Sequence, residues 1–294
     1  MISIILSSYN QLYFEQFVKN VEVTIGVEFE IIQIENHAKY SICEAYNIGA
    51  IKAKNEILIF CHEDMIFKTQ QWGVKIIEYF KEDKLLGAIG FAGSSYLPYI
   101  FTGWGGYLQE HEAFHLVQHH KFIDKESVYL NIGSKNINYK AVVALDGFFI
   151  ATTRAIWEKY RFDDKNFTKF HFYDVDFTLR VSKNYNVKVI YDVITEHFSD
   201  GNYNREWLEE LNNFNKKWSH KLPISLNNKI EGSIDANGEY RYLRLVVQNN
   251  YTLLSYFNRI LSKRYLRIVG WKNLLTILLK FPIRFLRLKN FHNN

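Results

Sequence analysis

The sequence predicts an α/β fold: a mostly parallel sheet with helices on both faces, followed by a C-terminal helical extension. Three observations point to it. Strand-like and helix-like patterns alternate through the first half of the chain, the order that βαβ units require. The strand-like runs "ISIILSSY" and "EILIFC" are apolar almost throughout, as expected of strands buried on both faces. The chain has 294 residues, 48% hydrophobic and 17% aromatic with three prolines, so it can bury a large core and leaves little room for disordered tracts.

The elements follow in order. "MISIILSSYN" has neither a basic leader region nor a small-residue cleavage site, so it is read as the first strand. "FEIIQIEN", residues 29–36, repeats the strand pattern. In "SICEAYNIGAIKAKN" Ser41 can accept from a first-turn amide while Glu44 reaches back, a capping box that opens a helix. "EILIFC" is the third strand. "QQWGVKIIEYFKED" is a helix with Trp72, Ile76, Tyr79 and Phe80 on one face, and "LLGAIGF" is the fourth strand. Residues 92–140 are less regular, with Gly93, Gly103, Gly105 and Gly106 among aromatics, and are read as an irregular insertion over the cleft. The pattern resumes with "KAVVALDGFFIATTRAIW", a helix opening on carboxylates in "DVDFTLRVSKN", and the strand "VKVIYD". The first domain is expected to span 1–220 and the extension 221–294. Cys43 and Cys61 form no CxxC pair, which suits a reducing compartment and argues against a disulfide or zinc framework.

In an open α/β sheet, ligands bind outside the carboxyl ends of the strands. Three such ends are polar here: Ser7-Ser8-Tyr9-Asn10, then Glu35-Asn36, then His62-Glu63-Asp64. One polar tip alone reads as a solvated loop. Three in succession point to a binding cleft. Adjacent carboxylates repel unless a cation lies between them and a partner, and Mg²⁺ or Mn²⁺ is commonly held by one or two carboxylates plus substrate phosphates. "HED" is therefore a candidate clamp for a metal and a diphosphate.

The ordered set "ISIILSSYN", "EAYNIGAIKAKNEILIFCHEDMIF", "LDGFFIATTRAIW" and "FHFYDVDFTLR" resembles family 2 glycosyltransferases of the GT-A fold, from about residue 2 to about 210. It is most similar to a bacterial branch in which His-Glu-Asp replaces Asp-x-Asp. The resemblance implies a nucleotide pocket at Ser8, Tyr9, Asn10 and Glu35, with His62 and Glu63 near the ribose or donor sugar. It implies metal ligation by Asp64 and by His197 of "TEHFSDGNYN", acceptor-side residues at Asp146, Gly147 and Asp176, and Asp174 as general base. His62 for Asp and Tyr173 for Glu are departures from the family pattern. The implied reaction moves a hexosyl or similar group from a nucleoside-diphosphate sugar to an acceptor hydroxyl, with inversion and with Mn²⁺ or Mg²⁺ as cofactor. The acceptor would be a glycan or lipid-linked glycan in surface polysaccharide or glycolipid synthesis. The plain alternative for Asp174 and Asp176 is that acidic residues in a first helical turn complement the dipole. The departures also leave open a degenerate, nucleotide-binding partner of another transferase.

"HEAFH", His111 to His115, matches the H-E-x-x-H pattern of zinc proteases, and His119 continues the spacing. On a helix the three imidazoles would share a face, so a zinc hydrolase is the remote alternative. The segment follows "GWGGYLQ" without a long buried helix, so it is read as a soluble insertion over the cleft; if its histidines act, they line a donor or acceptor pocket rather than serve proteolysis. Trp104, among glycines, is either an exposed indole that stacks on a sugar or a core residue.

Of the 36 Lys and Arg, 11 lie from Tyr240 onward without an Asp or Glu, leaving 25 against all 31 acidic residues in the rest of the chain. The body is mildly acidic and the tail strongly basic. In "YLRIVGWKNLLTILLKFPIRFLRLKNF", Lys272, Lys280 and Arg284 interrupt any apolar stretch of the roughly 18 residues a membrane span needs. The interleaved apolar and basic residues suit a helix lying in an anionic membrane interface, or a helical subdomain packed on the core or on a second copy. The expected location is cytoplasmic, peripheral on the inner face of the cytoplasmic membrane. No nucleic-acid recognition module is present, and a homo-oligomer is left open.

Overall fold

The first strand, β1 (Ile2–Ser8), is buried along nearly its whole length, with Ile2, Ile4, Ile5 and Leu6 fully covered. It sets the pattern of a computed structural model that describes residues 1–104, 109–120, 125–133, 137–199 and 201–290. Gly105, Gly106, Asp200 and the last four residues of the tail lie outside the described residues. The chain divides into two compact units: residues 1–95 with 110–201, and residues 96–109 with 202–294.

The first unit continues with α1 (Gln11–Thr24), β2 (Phe29–Glu35), α2 (Ile42–Lys52), β3 (Ile57–Cys61), β4 (Met65–Phe67), α3 (Trp72–Glu82), β5 (Leu86–Gly90) and β6 (Ala92–Ser94). After β7 (Tyr96–Leu97), which belongs to the second unit, come β8 (Glu112–His119), β9 (Val128–Ile132), β10 (Tyr139–Ala141), β11 (Ala144–Leu145), β12 (Phe149–Thr153), α4 (Arg154–Tyr160), α5 (Tyr173–Val181), β13 (Asn186–Ile190) and β14 (Thr195–Phe198). Two of the helices start at side-chain caps. Asn10 accepts from the Leu12 and Tyr13 amides, and Ser41 and Glu44 form the capping box expected at α2.

The central sheet has the order β10-β13-β5-β12-β3-β1-β2. Five of its seven strands run one way, and β12 and β10 run against them. Helices cover both faces. Gly49 of α2 sits so close to Ile5 that an added Cβ would lie 2.3 Å from its Cγ2, and Tyr46 of α2 packs on Phe60, the partner of Ile5 across β1 and β3. Phe149 of β12 pairs with Cys61, so it points to the opposite face, where it packs against Trp72 of α3.

The described residues of 92–140 include regular strands, where the sequence reading expects an irregular insertion. Their strands β6, β8 and β9 join β11, β14 and β4 in a second sheet of order β11-β6-β8-β14-β4, with β9 on the edge of β8. These strands escape a pattern search because several are two or three residues long, and because β8 buries Glu112 and His115 beside Ala113, Phe114 and Leu116.

The second unit comprises β7, α6 (Arg205–Trp218), β15 (Ile224–Ser225), α7 (Gly232–Gln248), α8 (Leu253–Ile260), α9 (Lys263–Val269) and α10 (Trp271–Asn290). The sequence reading ends the first domain at 220, whereas α6, which buries Trp207, Leu208, Leu211, Phe214 and Trp218, groups with the tail. Two buried carboxylates inside this unit are paired. Asp235 accepts from the Tyr96 hydroxyl at 2.9 Å and the Tyr99 amide at 2.5 Å, and Glu239 accepts from Arg284 at 2.6 Å. Among the described residues no helix is long and apolar enough to cross a membrane.

Candidate metal and nucleotide site

β3 ends at Cys61, and the chain turns through His62, Glu63 and Asp64 before entering β4. β14 pairs antiparallel with β4, with His197 opposite Met65, and the Phe198 amide donates to the Asp64 carbonyl at 2.9 Å. This ladder brings together side chains more than 130 residues apart in sequence. His62 Nδ1 lies 3.8 Å from Asp64 Oδ1, and His197 Nε2 lies 3.6 Å from the same oxygen. The three ligand atoms all fall within 4.8 Å of one another. Divalent cations bind N and O ligands at about 2.0–2.2 Å, so neighbouring ligands sit roughly 3–3.5 Å apart. The cluster needs only a slight contraction to hold one.

Each imidazole is held by its outer nitrogen. The Tyr173 hydroxyl donates to the Gly147 carbonyl at 2.9 Å and lies 3.1 Å from His62 Nε2, so it accepts from an Nε2–H there. The Gln118 amide nitrogen donates to the carbonyls of His119, His197 and Ser199, which fixes its oxygen as the acceptor 3.3 Å from His197 Nδ1. Assigned from these partners, each ring in its neutral form presents a bare nitrogen toward Asp64, Nδ1 of His62 and Nε2 of His197. Phe148 stacks on His197 at 4.6 Å, and the exposed Phe170 lies 5.4 Å from the His62 ring.

Glu63 turns the other way. Buried, it accepts from the amides of Tyr9 at 3.2 Å and Asn10 at 3.0 Å, tying the β3 tip to the β1 tip. Asn36 completes the edge, its amide donating to the Ser8 carbonyl at 2.7 Å and its side chain to the Ser7 hydroxyl at 3.0 Å.

Next to Tyr173, half-buried Asp174 sits against Gly147 at the opening of α5. Its carboxyl is pushed up to about 7, first by burial and then by the nearby charge of Asp146, against the pull of backbone amides that include Gly147. The residue before α5, Phe172, has φ of 63°, a left-handed conformation that a bulky side chain rarely adopts. Position 147 must be glycine, since a Cβ there would lie 2.2 Å from the Tyr173 hydroxyl oxygen.

The family model described as a glycosyltransferase-like family matches residues 3–221. The chain belongs to the glycosyltransferase-like family. Among solved structures, the crystal structure of GalNAc-T7 with UDP, GalNAc and Mn²⁺ is similar at a TM-score of 0.53 and 10% identity. That match covers 92% of this chain and 58% of the other, so this member spans less than two-thirds of that protein's length. The crystal structure of A197 from STIV matches at a TM-score of 0.39 and 17% identity, over 68% of this chain and 85% of that one. A comparison with curated proteins finds no match. The fold is the GT-A glycosyltransferase fold.

In this family member the sequence-predicted residues separate into groups. His62, Asp64 and His197 converge, with Tyr173 linking them to the Asp146-Gly147-Asp174 corner. Ser8, Tyr9, Asn10 and Glu35 lie at the tips of β1 and β2, but Ser8 is buried and accepts from Gln33, and the Asn10 side chain caps α1. Tyr9 and Glu35 are exposed. Asp176 is fully buried, and Arg180 Nε lies 2.9 Å from its carboxylate. Trp104 belongs to the second unit, half-buried against Tyr96 and Ile234. The zinc reading of "HEAFH" fails because the pattern does not lie on one helix: His111 ends a short turn before β8, and His115 and His119, both within β8, lie about 13 Å apart as strand residues four apart do. His111 bonds Ser95, His115 is buried beside Tyr129 and Tyr191, and His119 stacks on Phe198. Sequence reasoning missed Gln118, since a lone polar residue on a strand carries no motif, and it singled out Glu63 without its anchoring role.

Proposed function

We propose that this chain is a metal-dependent inverting glycosyltransferase that moves a sugar from a nucleoside-diphosphate sugar to an acceptor hydroxyl. The observation that carries the reading is the His62–Asp64–His197 cluster at the C-terminal edge of the sheet, joined through Tyr173 to Asp174. A divalent cation held there would neutralise the diphosphate as it leaves. Two nitrogens and one oxygen match poorly the all-oxygen shell that Mg²⁺ prefers, which favours Mn²⁺ with diphosphate oxygens filling the remaining positions. The solved structure of similar fold that holds UDP, GalNAc and Mn²⁺ supports this donor class.

In this reading Tyr9 and Glu35 flank the nucleotide at the strand tips, and Glu63 keeps the β1 tip in place. Asp174 accepts the proton of the acceptor hydroxyl as that oxygen attacks the anomeric carbon, and Asp146 beside it keeps the carboxylate basic. The acceptor is a glycan or lipid-linked glycan of surface polysaccharide or glycolipid synthesis. The second unit supports a place at an anionic membrane surface on the cytoplasmic side. Its α10 exposes Trp271, Leu275, Leu279, Ile283 and Leu286, with exposed Lys272, Lys280, Arg287 and Lys289 among or beside them.

The test is a panel of nucleotide sugars incubated with the purified chain and Mn²⁺, with nucleoside diphosphate release and transfer followed by chromatography. At least one donor should be cleaved only when Mn²⁺ is present. No cleavage of any donor, with no nucleotide binding by calorimetry, overturns the reading. Binding without turnover supports the non-catalytic partner instead.

A further inference from the structure

We propose that Tyr173 is a positioning residue for the metal: its hydroxyl selects the His62 tautomer that aims a bare Nδ1 at Asp64. The inference rests on the metal reading above and deepens it. A tyrosine hydroxyl has one proton, and here that proton goes to the Gly147 carbonyl at 2.9 Å. The oxygen can then serve His62 Nε2, 3.1 Å away, only as an acceptor, so Nε2 keeps its hydrogen. In the neutral ring the lone pair is left on Nδ1, the atom that faces Asp64 Oδ1 at 3.8 Å. Without the hydroxyl the ring is free to place its hydrogen on Nδ1, which blocks ligation, or to rotate away.

Three features hold the hydroxyl where it is needed. Tyr173 is buried and its ring packs edge-on to Tyr46 at 5.6 Å. The left-handed Phe172 sets the angle at which α5 starts. The missing Cβ at Gly147 leaves the space the hydroxyl occupies. The two positions that depart from the family pattern in the sequence, His62 and Tyr173, are thus one device: an imidazole ligand and the group that orients it. Partners that fix the outer nitrogen of a ligating imidazole typically matter about 10–100-fold in metal affinity.

The test titrates Mn²⁺ alone into the full chain, followed by electron paramagnetic resonance of the free ion, for the wild type and for Asp64→Ala, Tyr173→Phe, His62→Ala and the His62→Ala/Tyr173→Phe double variant. Tyr173→Phe should weaken Mn²⁺ about 10–100-fold, and in the His62→Ala background it should add nothing. Imidazole ¹⁵N resonances should show hydrogen on Nε2 of His62 in the metal-free wild type and a mixture of tautomers in Tyr173→Phe. A tyrosine that only supports the fold would lower the melting temperature and leave both readouts unchanged. Wild-type affinity in Tyr173→Phe, or an equal loss with and without His62, overturns the proposal while the metal reading stands. If the wild type binds no Mn²⁺, or Asp64→Ala binds it equally well, the metal reading fails and takes this inference with it.

Discussion

In the proposed reading Asp174 is the general base, and its environment makes a pH prediction. A base must be unprotonated to accept a proton, and burial together with the charge of Asp146 raises the Asp174 carboxyl to about 7. Turnover should therefore fall as pH drops through about 7 and level off above it. Asp146→Asn removes the neighbouring charge, lowers the Asp174 value and shifts the acid limb of the pH–rate profile to lower pH. An unmoved limb would mean that another group sets it. Asp174→Asn should retain Mn²⁺-dependent nucleotide binding and lose about 10²–10⁴-fold in turnover. Asp64, His197 and Asp174 are singled out in the sequence because the motifs that hold them resemble the ordered signature of the family. Gln118 and the anchoring contacts of Glu63 are not, because their partners lie 79 and 53–54 residues away and only the finished topology brings them together.

At the scale of elements, the close fit of α5 onto the β11–β12 turn makes Gly147 a sensitive position. Gly147→Ala would set a methyl 2.2 Å from the Tyr173 hydroxyl oxygen and 2.9 Å from Asp174 Cβ. Overpacking of this kind costs about 1–3 kcal/mol, so calorimetry should show a melting temperature lowered by several degrees. An unchanged value would mean that α5 shifts at no cost. Long elements such as β1, α2, β3 and α5 are visible in the sequence because each has an unbroken apolar run, a cap or a helical period. The direction of β12 is not visible, because a strand buried on both faces reads the same whichever way it runs. The second sheet is hidden for a different reason: its strands are short, and in β8 buried Glu112 and His115 interrupt what would otherwise be an apolar run.

For the whole molecule, the charge asymmetry read from the sequence acquires a place in the structure. The acid-free tail ends in α10, whose exposed Leu279 and Ile283 lie one turn apart on the same side as Trp271 and Leu275. The full chain should co-sediment with vesicles rich in anionic lipid, less so as salt rises. Leu279→Glu with Ile283→Glu should abolish that binding without changing cleavage of a soluble donor; co-sedimentation equal to wild type would sink the membrane reading. The central claim is that His62, Asp64 and His197 hold the cation that binds the donor diphosphate. Calorimetric titration of a panel of nucleoside diphosphates into the wild type, Asp64→Ala and Asp174→Asn, with and without Mn²⁺, tests it most directly. At least one nucleotide should bind the wild type and Asp174→Asn only with Mn²⁺ present, and Asp64→Ala should not bind it. Binding that ignores Mn²⁺, or an equal loss in both variants, would contradict the account.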